Sequence, residues 1–193
     1  MAVCVLLVGL FWLGGVISDR KTLSEDIIRL HVVANSDSEE DQAVKLRVRD
    51  AITERLDGIM RKLPTAKEAR DYILEHVEEL EELANKVLKE TGSLDSAHVT
   101  LTEECFDTRQ YETFSLPAGV YESLRVTIGD GTGKNWWCVV FPTLCTANDF
   151  ADTAAGSGFD NGLTGALEGD SPYEIRFYFL DLLGRLQNFF HRK

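Results

Sequence analysis

The first residue to invite chemistry is Cys138, in the run Trp136-Trp137-Cys138-Val139-Val140-Phe141, with His31 and His98 as the histidines that would serve it as base. A thiol attacks as the thiolate. It needs an adjacent base, a third group to orient that base, and donors for the oxyanion. No elbow or oxyanion motif surrounds Cys138, and a thiol inside an apolar strand ordinarily packs as a small hydrophobe. Gly129-Asp130-Gly131-Thr132-Gly133-Lys134 resembles a phosphate cradle only in composition. A cradle needs its glycines between a strand and a helix N-terminus, whereas an apolar strand follows here and the Gly-Lys-Ser/Thr ending is missing. The segment reads as a glycine-rich turn. No CxxC pair and no Cys/His set at zinc spacing is present, so no metal and no cofactor is expected. None of the many carboxylates stands alone in an apolar setting that would raise its pKa toward general-acid duty. The residues point away from an enzyme.

Charge and composition narrow the classes further. The chain has 193 residues, a net charge of −12, 44% hydrophobic and 27% charged residues, which suits a soluble globular protein. No cationic stretch is longer than an Arg-Lys pair such as Arg20-Lys21, so nucleic acid is not an expected partner. Residues 1–17 carry no charge, and Ser18-Asp19-Arg20-Lys21 then opens a polar chain. That run suits a secretory signal or a short anchor over residues 1–18, with Val16 and Ser18 at the −3 and −1 positions of a cleavage site. Contact with a membrane is expected only through this segment, if it is not removed.

The elements that must position these residues follow from periodicity. Residues 27–34 are rich in β-branched types and read as a strand. Asn35-Ser36-Asp37-Ser38 turns the chain and caps a helix running to about Leu63. Pro64 breaks it, and Thr65 with Glu68 forms a capping box for a second helix that ends at Gly92. Its acidic outer face (Glu75, Glu78, Glu79, Glu81, Glu82) reads as solvated. Two long helices on so short a turn are antiparallel neighbours. Residues 98–105 alternate as a strand, and 121–128 with 136–141 read as the two arms of a hairpin across the glycine turn. Residues 146–170 are poor in large apolar side chains and read as a mobile loop. Ser171-Pro172-Tyr173-Glu174 then caps a C-terminal helix with an apolar stripe from Ile175 to Phe190, although residues 173–179 also suit a strand. The expected fold is α+β: a small antiparallel-rich sheet packed against two long helices and a C-terminal helix, in one domain over residues 19–193.

In an exported chain one disulfide and one free thiol is the simple arithmetic for Cys105, Cys138 and Cys145. If strands 98–105, 121–128 and 136–141 form a meander, Cys105 and Cys145 lie just past one edge, while Cys138 sits mid-strand. The expected bridge is Cys105–Cys145, with Cys138 free, and geometry decides among three formal pairings. Trp136 and Trp137 must face opposite sides of their strand. One indole enters the core, and the other is either an exposed anchor or covered by a second layer.

Several strings resemble the stage II sporulation protein R family. They are Arg29-Leu-His-Val-Val-Ala-Asn-Ser-Asp-Ser-Glu-Glu-Asp-Gln, Lys45-Leu-Arg-Val-Arg-Asp, Leu116-Pro-Ala-Gly-Val-Tyr and, most specifically, Gly131-Thr-Gly-Lys-Asn-Trp-Trp-Cys-Val-Val-Phe-Pro-Thr-Leu-Cys. The likeness spans about residues 25–145 and resumes at Tyr173-Glu-Ile-Arg-Phe. Thr143 stands where the family usually has a second Pro. The resemblance implies a protein made in the forespore and exported into the intermembrane space between forespore and mother cell. There the family activates a membrane-embedded aspartic protease that removes the pro-sequence of an inactive sigma factor. The expected contacts are Arg29, His31, Asn35, Asp37, Arg109, Asn135 and Trp136, since the turn after the first strand and the glycine turn are exposed and both carry resembling residues. The alternative from the residues alone is an exported enzyme with Cys138 as nucleophile acting on peptide or cell-wall substrates.

Overall fold

The computed structural model describes residues 2–144, 153, 159–169 and 173–192. The elements in chain order are α1 (Ala2–Asp26), β1 (Ile28–Val33), α2 (Glu39–Met60), α3 (Ala66–Glu75), α4 (Val77–Glu90), β2 (Ala97–Phe106), β3 (Arg109–Gln110), β4 (Ser115–Leu116), β5 (Gly119–Ile128), β6 (Asn135–Phe141), α5 (Asn161–Glu168) and α6 (Glu174–His191). This is an α+β fold. The chain divides into two compact units. One comprises Asp26–Glu103 and Glu122–Asn148; the other comprises Met1–Glu25, Glu104–Tyr121 and Asp149–Lys193.

The first unit is a sheet layer under a helix layer. The strand order is β2-β5-β1-β6, with β1 parallel to β5 and antiparallel to β6. The expected hairpin of 121–128 with 136–141 is therefore corrected, because β1 lies between its two arms. The reason is in β1 itself: all six residues are buried, and a strand buried on both faces belongs in a sheet interior. The glycine turn then bridges two strand spacings, roughly 9.5 Å.

Ile28, Leu30 and Val32 of β1, with Leu124 and Val126 of β5, meet Val44, Val48, Ile52 and Leu56 of α2, Ile73 of α3 and Leu80, Ala84 and Leu88 of α4 in one apolar core. Ser38 caps α2 by accepting from Asp41 N, and Thr65 caps α3 by accepting from Glu68 N. The second helix of the sequence reading is two helices, parted at His76. On α4, Asn85 brackets Ala97 with two hydrogen bonds (2.9 and 3.0 Å), and Glu81 accepts from Val99 N at 2.9 Å. Part of the acidic face expected to be solvated thus holds β2 in place.

In the other unit, the small β3–β4 hairpin accompanies α1, α5 and α6. α5 occupies residues expected to be part of a mobile loop over 146–170. Asp160 caps it by accepting from Leu163 N, and Gly169 closes it at φ +79°. Leu163, Ala166 and Leu167 are the apolar side chains that it buries, few in number but correctly spaced. Most other residues of that expected loop lie outside the described residues, as does the expected cap at Ser171. α6 begins at Glu174 and is helical throughout, which resolves the strand-or-helix alternative at 173–179. Among the described residues no helix is long and apolar enough to cross a membrane.

Candidate functional site

Where β1 leaves the sheet, residues 34–37 meet the glycine turn. Asn35 Oδ1 accepts from Asp130 N at 3.0 Å, and the Asn35 carbonyl accepts from Thr132 N and Thr132 Oγ1 at 3.2 and 2.7 Å. Asp37 Oδ1 accepts from Lys134 N at 2.7 Å, and the Ala34 carbonyl from Gly133 N at 2.9 Å. Lys45, buried on the second turn of α2, donates to Gln42 Oε1 (2.6 Å) and to the Lys134 carbonyl (3.0 Å). Burial pushes its amine below the usual lysine range, and the Arg49 charge acts in the same direction. Beside this clamp the Asp41 carboxyl is held below its ordinary value. The Ser36 hydroxyl is the main cause, burial opposes it, and Asn35 and Ser38 add to it. Gly129 and Gly131 sit at φ +55° and +61°, where a side chain would be strained. A Cβ at Gly133 would strike the Ser36 carbonyl oxygen. The turn is fitted to the β1–α2 corner.

The sheet face opposite the helix layer is polar where the clamp ends. Register sets three rows across β5, β1 and β6: Ser123, Arg29 and Val139; Arg125, His31 and Trp137; Thr127, Val33 and Asn135. His31 stacks on Trp137 at 5.5 Å between ring centroids, and His31 Nε2 donates to Asn135 Oδ1 at 2.9 Å. Arg125 Nε donates to Thr127 Oγ1 at 3.2 Å. Asn135 and Lys134 are exposed, while Arg125 and Trp137 are half-buried. The ensemble is a planar indole backed by imidazole, flanked by an amide and a guanidinium. Such a set of groups is chemically able to stack and to hydrogen-bond.

Against this geometry the seven expected contacts divide. Asn135 is exposed on the face. His31 lies beneath it at 8% exposure, supporting Trp137 and Asn135. Arg29 is 0% exposed, so its placement on a contact surface is corrected. Asn35 and Asp37 spend their side chains on the glycine turn. Trp136 faces the helix layer, packed against the core with the Arg49 guanidinium 4.8 Å above its ring. Arg109 lies on β3, in the other unit. Sequence reasoning missed Trp137 and Arg125. Strand alternation puts Trp137, Asn135 and Val139 on one side, but only the fold shows which side faces the helices.

The cysteines correct another expectation. Cys138 is disulfide-bonded and Cys105 is free, so the expected Cys105–Cys145 bridge with a free Cys138 does not form. The meander behind that pairing is absent, because β1 displaces β6 from β5. Cys145 lies outside the described residues. Among those described, no group of three or more His, Cys, Asp and Glu is placed to hold a metal ion.

Comparison with known proteins gives one consistent result. The model of the family described as stage II sporulation protein R matches residues 24–151. The chain is 36% identical over 123 residues to a Bacillus subtilis (strain 168) protein named stage II sporulation protein R. That alignment covers 64% of this chain and 55% of the relative, so the likeness spans about half the relative's length. No solved structure matches.

Proposed function

The chain belongs to the stage II sporulation protein R family, with a role in sporulation, and from that premise we propose that it is an exported activating ligand for a membrane-embedded aspartic protease that processes a pro-sigma factor. The protein acts by binding, in the space between forespore and mother cell, on the extracytoplasmic surface of the protease. A ligand of this kind shifts the protease toward its active arrangement only through a difference in affinity between the two states.

The observation that carries the reading is the Trp137–Asn135–Arg125 face, seated on His31 and edged by Lys134. These side chains lie within the matched residues, and Lys134, Asn135 and Trp137, at the start of β6, belong to the most specific resembling string. An aromatic ring with a neighbouring guanidinium and amide is the composition of a binding hot spot. The disulfide at Cys138 favours this reading over a cysteine enzyme, since a sulfur held in a disulfide offers no thiolate while the bond is intact.

The experiment is reconstitution in a bacterium that does not sporulate. The protease and the pro-sigma factor are co-expressed with and without the exported chain, and loss of the pro-sequence is followed by gel mobility. Cleavage should depend on the exported chain and fall at least tenfold with Trp137→Ala or Asn135→Ala at equal accumulation of folded protein. Unchanged cleavage with both variants would reject this face. No cleavage at all, with a protease shown to be competent, would reject the activating role.

A further inference from the structure

α6 is amphipathic in the inverse sense. Its inward side buries one large apolar residue, Leu180, together with Gly184 and Asn188. Arg176 clasps Asp19 of α1 with two bonds of 2.6 and 2.7 Å. Asp181 accepts from Ala118 N at 2.9 Å and from the Thr108 hydroxyl. Asn188 Nδ2 donates to the Phe106 carbonyl at 2.7 Å, and Gly184 lies so close to the Ala118 carbonyl that a Cβ would overlap it. The opposite side carries Ile175, Tyr178, Leu182, Leu186, Phe189 and Phe190, each between 47% and 67% exposed. These positions recur at helical spacing and form one stripe about 20 Å long. Soluble helices place the apolar stripe inward; this one does the reverse.

The stripe does not stand alone. Trp12 of α1 meets Phe179 edge-to-face at 5.0 Å, so the apolar surface runs from α6 onto α1. There Leu10, Phe11 and Ile17 are exposed in a segment without charge. The two helices together present a run of exposed apolar side chains of the kind that marks an interaction surface. Arg185 and Arg192 border the stripe near its C-terminal end, on the flank where they also reach Asp181 and Asp107. Apolar side chains on one face, aromatic rings at the end and cations along the border form the pattern of a helix lying in a membrane interface.

We propose that the outer face of α6, continuous with the apolar side of α1, rests on a lipid bilayer surface with the helix axis in the membrane plane. The inward polar contacts hold the helix to its unit while the stripe enters the headgroup–acyl boundary. With a chain charge of −12, the attraction is apolar burial rather than attraction to anionic lipid. The inference goes beyond the activating role and stands or falls without the protease.

The test is flotation of the full chain with protein-free phosphatidylcholine vesicles. Leu186→Asp places a charge in the middle of the stripe. Gln187→Glu places the same charge one residue away, where Gln187 Oε1 accepts from Arg20 Nη2 at 2.9 Å and a carboxylate keeps that bond. Both sites are exposed, and far-UV circular dichroism and melting check that both variants fold. Leu186→Asp should lower the partition coefficient at least tenfold, and Gln187→Glu less than twofold. Equal partition of Leu186→Asp and the parent chain would overturn the proposal, as would failure of the parent chain to float. A lipid-free dimer in sedimentation that Leu186→Asp dissolves would overturn it in favour of a second copy.

Discussion

Asn35→Ala separates the clamp from the binding face. The substitution removes the Oδ1 acceptor of Asp130 N at 3.0 Å and the Nδ2 donor to Asp41 at 3.2 Å. It leaves the backbone carbonyl that Thr132 uses. A neutral hydrogen bond is worth about 1 kcal/mol net. The bond to Asp41 involves a charge but is long and close to solvent, so it counts for about the same. Asp130 N lies at the surface and regains water, which limits the further penalty. The expected loss is roughly 2 kcal/mol, or about 1 M in urea midpoint at a slope near 2 kcal/mol per M. Urea titration followed by tryptophan fluorescence reads it directly, since Trp136 and Trp137 stand in the strand that leaves this turn. Activation of the protease, corrected for the folded fraction, should stay within about twofold, given that Asn35 faces the turn. A midpoint shift below ~0.2 M combined with lost activation would refute this reasoning and make Asn35 a contact.

The other expectations concern the unit built around α6 and the disulfide. Gly184→Ala forces a methyl onto the Ala118 carbonyl and should lower stability by about 1–3 kcal/mol, seen as a fall in melting temperature. Burial acts to raise the Asp181 carboxyl, but the bonds from Ala118 N, Thr108 and Arg185 outweigh it and hold the group below its ordinary 3.8. A depressed carboxyl stabilises the fold fully above the unfolded value, and that contribution is lost as the pH falls through the lower folded value. Melting temperature against pH should therefore drop on the acid side of about pH 4, and Asp181→Asn should flatten that limb while lowering stability at neutral pH. Cys138→Ser removes a disulfide and should cost about 2–4 kcal/mol, by melting with and without reductant, while activation per folded molecule persists. A folded Cys138→Ser chain that no longer activates would restore the cysteine-enzyme reading.

Much of the first unit was legible because its signals are local. Ser38 and Thr65 announce their helices through hydrogen bonds within one turn, and the stripe of Val44, Val48, Ile52 and Leu56 names its own buried face. What failed was long-range. The glycine turn gives every local sign of a hairpin, and nothing within residues 121–141 reveals that residues 28–33 come between the arms. The one clue is elsewhere, in a β1 too apolar to serve as an edge. The site suffered from the same gap. Asn35 and Asp37 read as an exposed turn until the returning loop is seen to occupy them, and Trp136 and Trp137 are interchangeable until the helix layer is placed over one of them. α5 was missed because Gly and Ala dominate its neighbourhood and only Leu163 and Leu167 carry bulk.

α6 shows where periodicity stops being informative. Its stripe of Ile175, Tyr178, Leu182, Leu186 and Phe189 is as regular as that of α2, and regularity alone directs both toward a protein core. In α2 the stripe does meet the core. In α6 the side that meets the protein is marked by an ion pair, a carboxylate on a backbone amide and a glycine against a carbonyl, interactions that a hydrophobic pattern does not register. Such contacts suffice to dock a helix when its apolar side has another solvent to enter. The sequence carries a hint of that solvent in the uncharged segment that supplies Trp12, whose ring meets Phe179. A periodic stripe therefore names a face, and the polar residues on the far side of the same helix say whether that face turns toward protein or toward lipid.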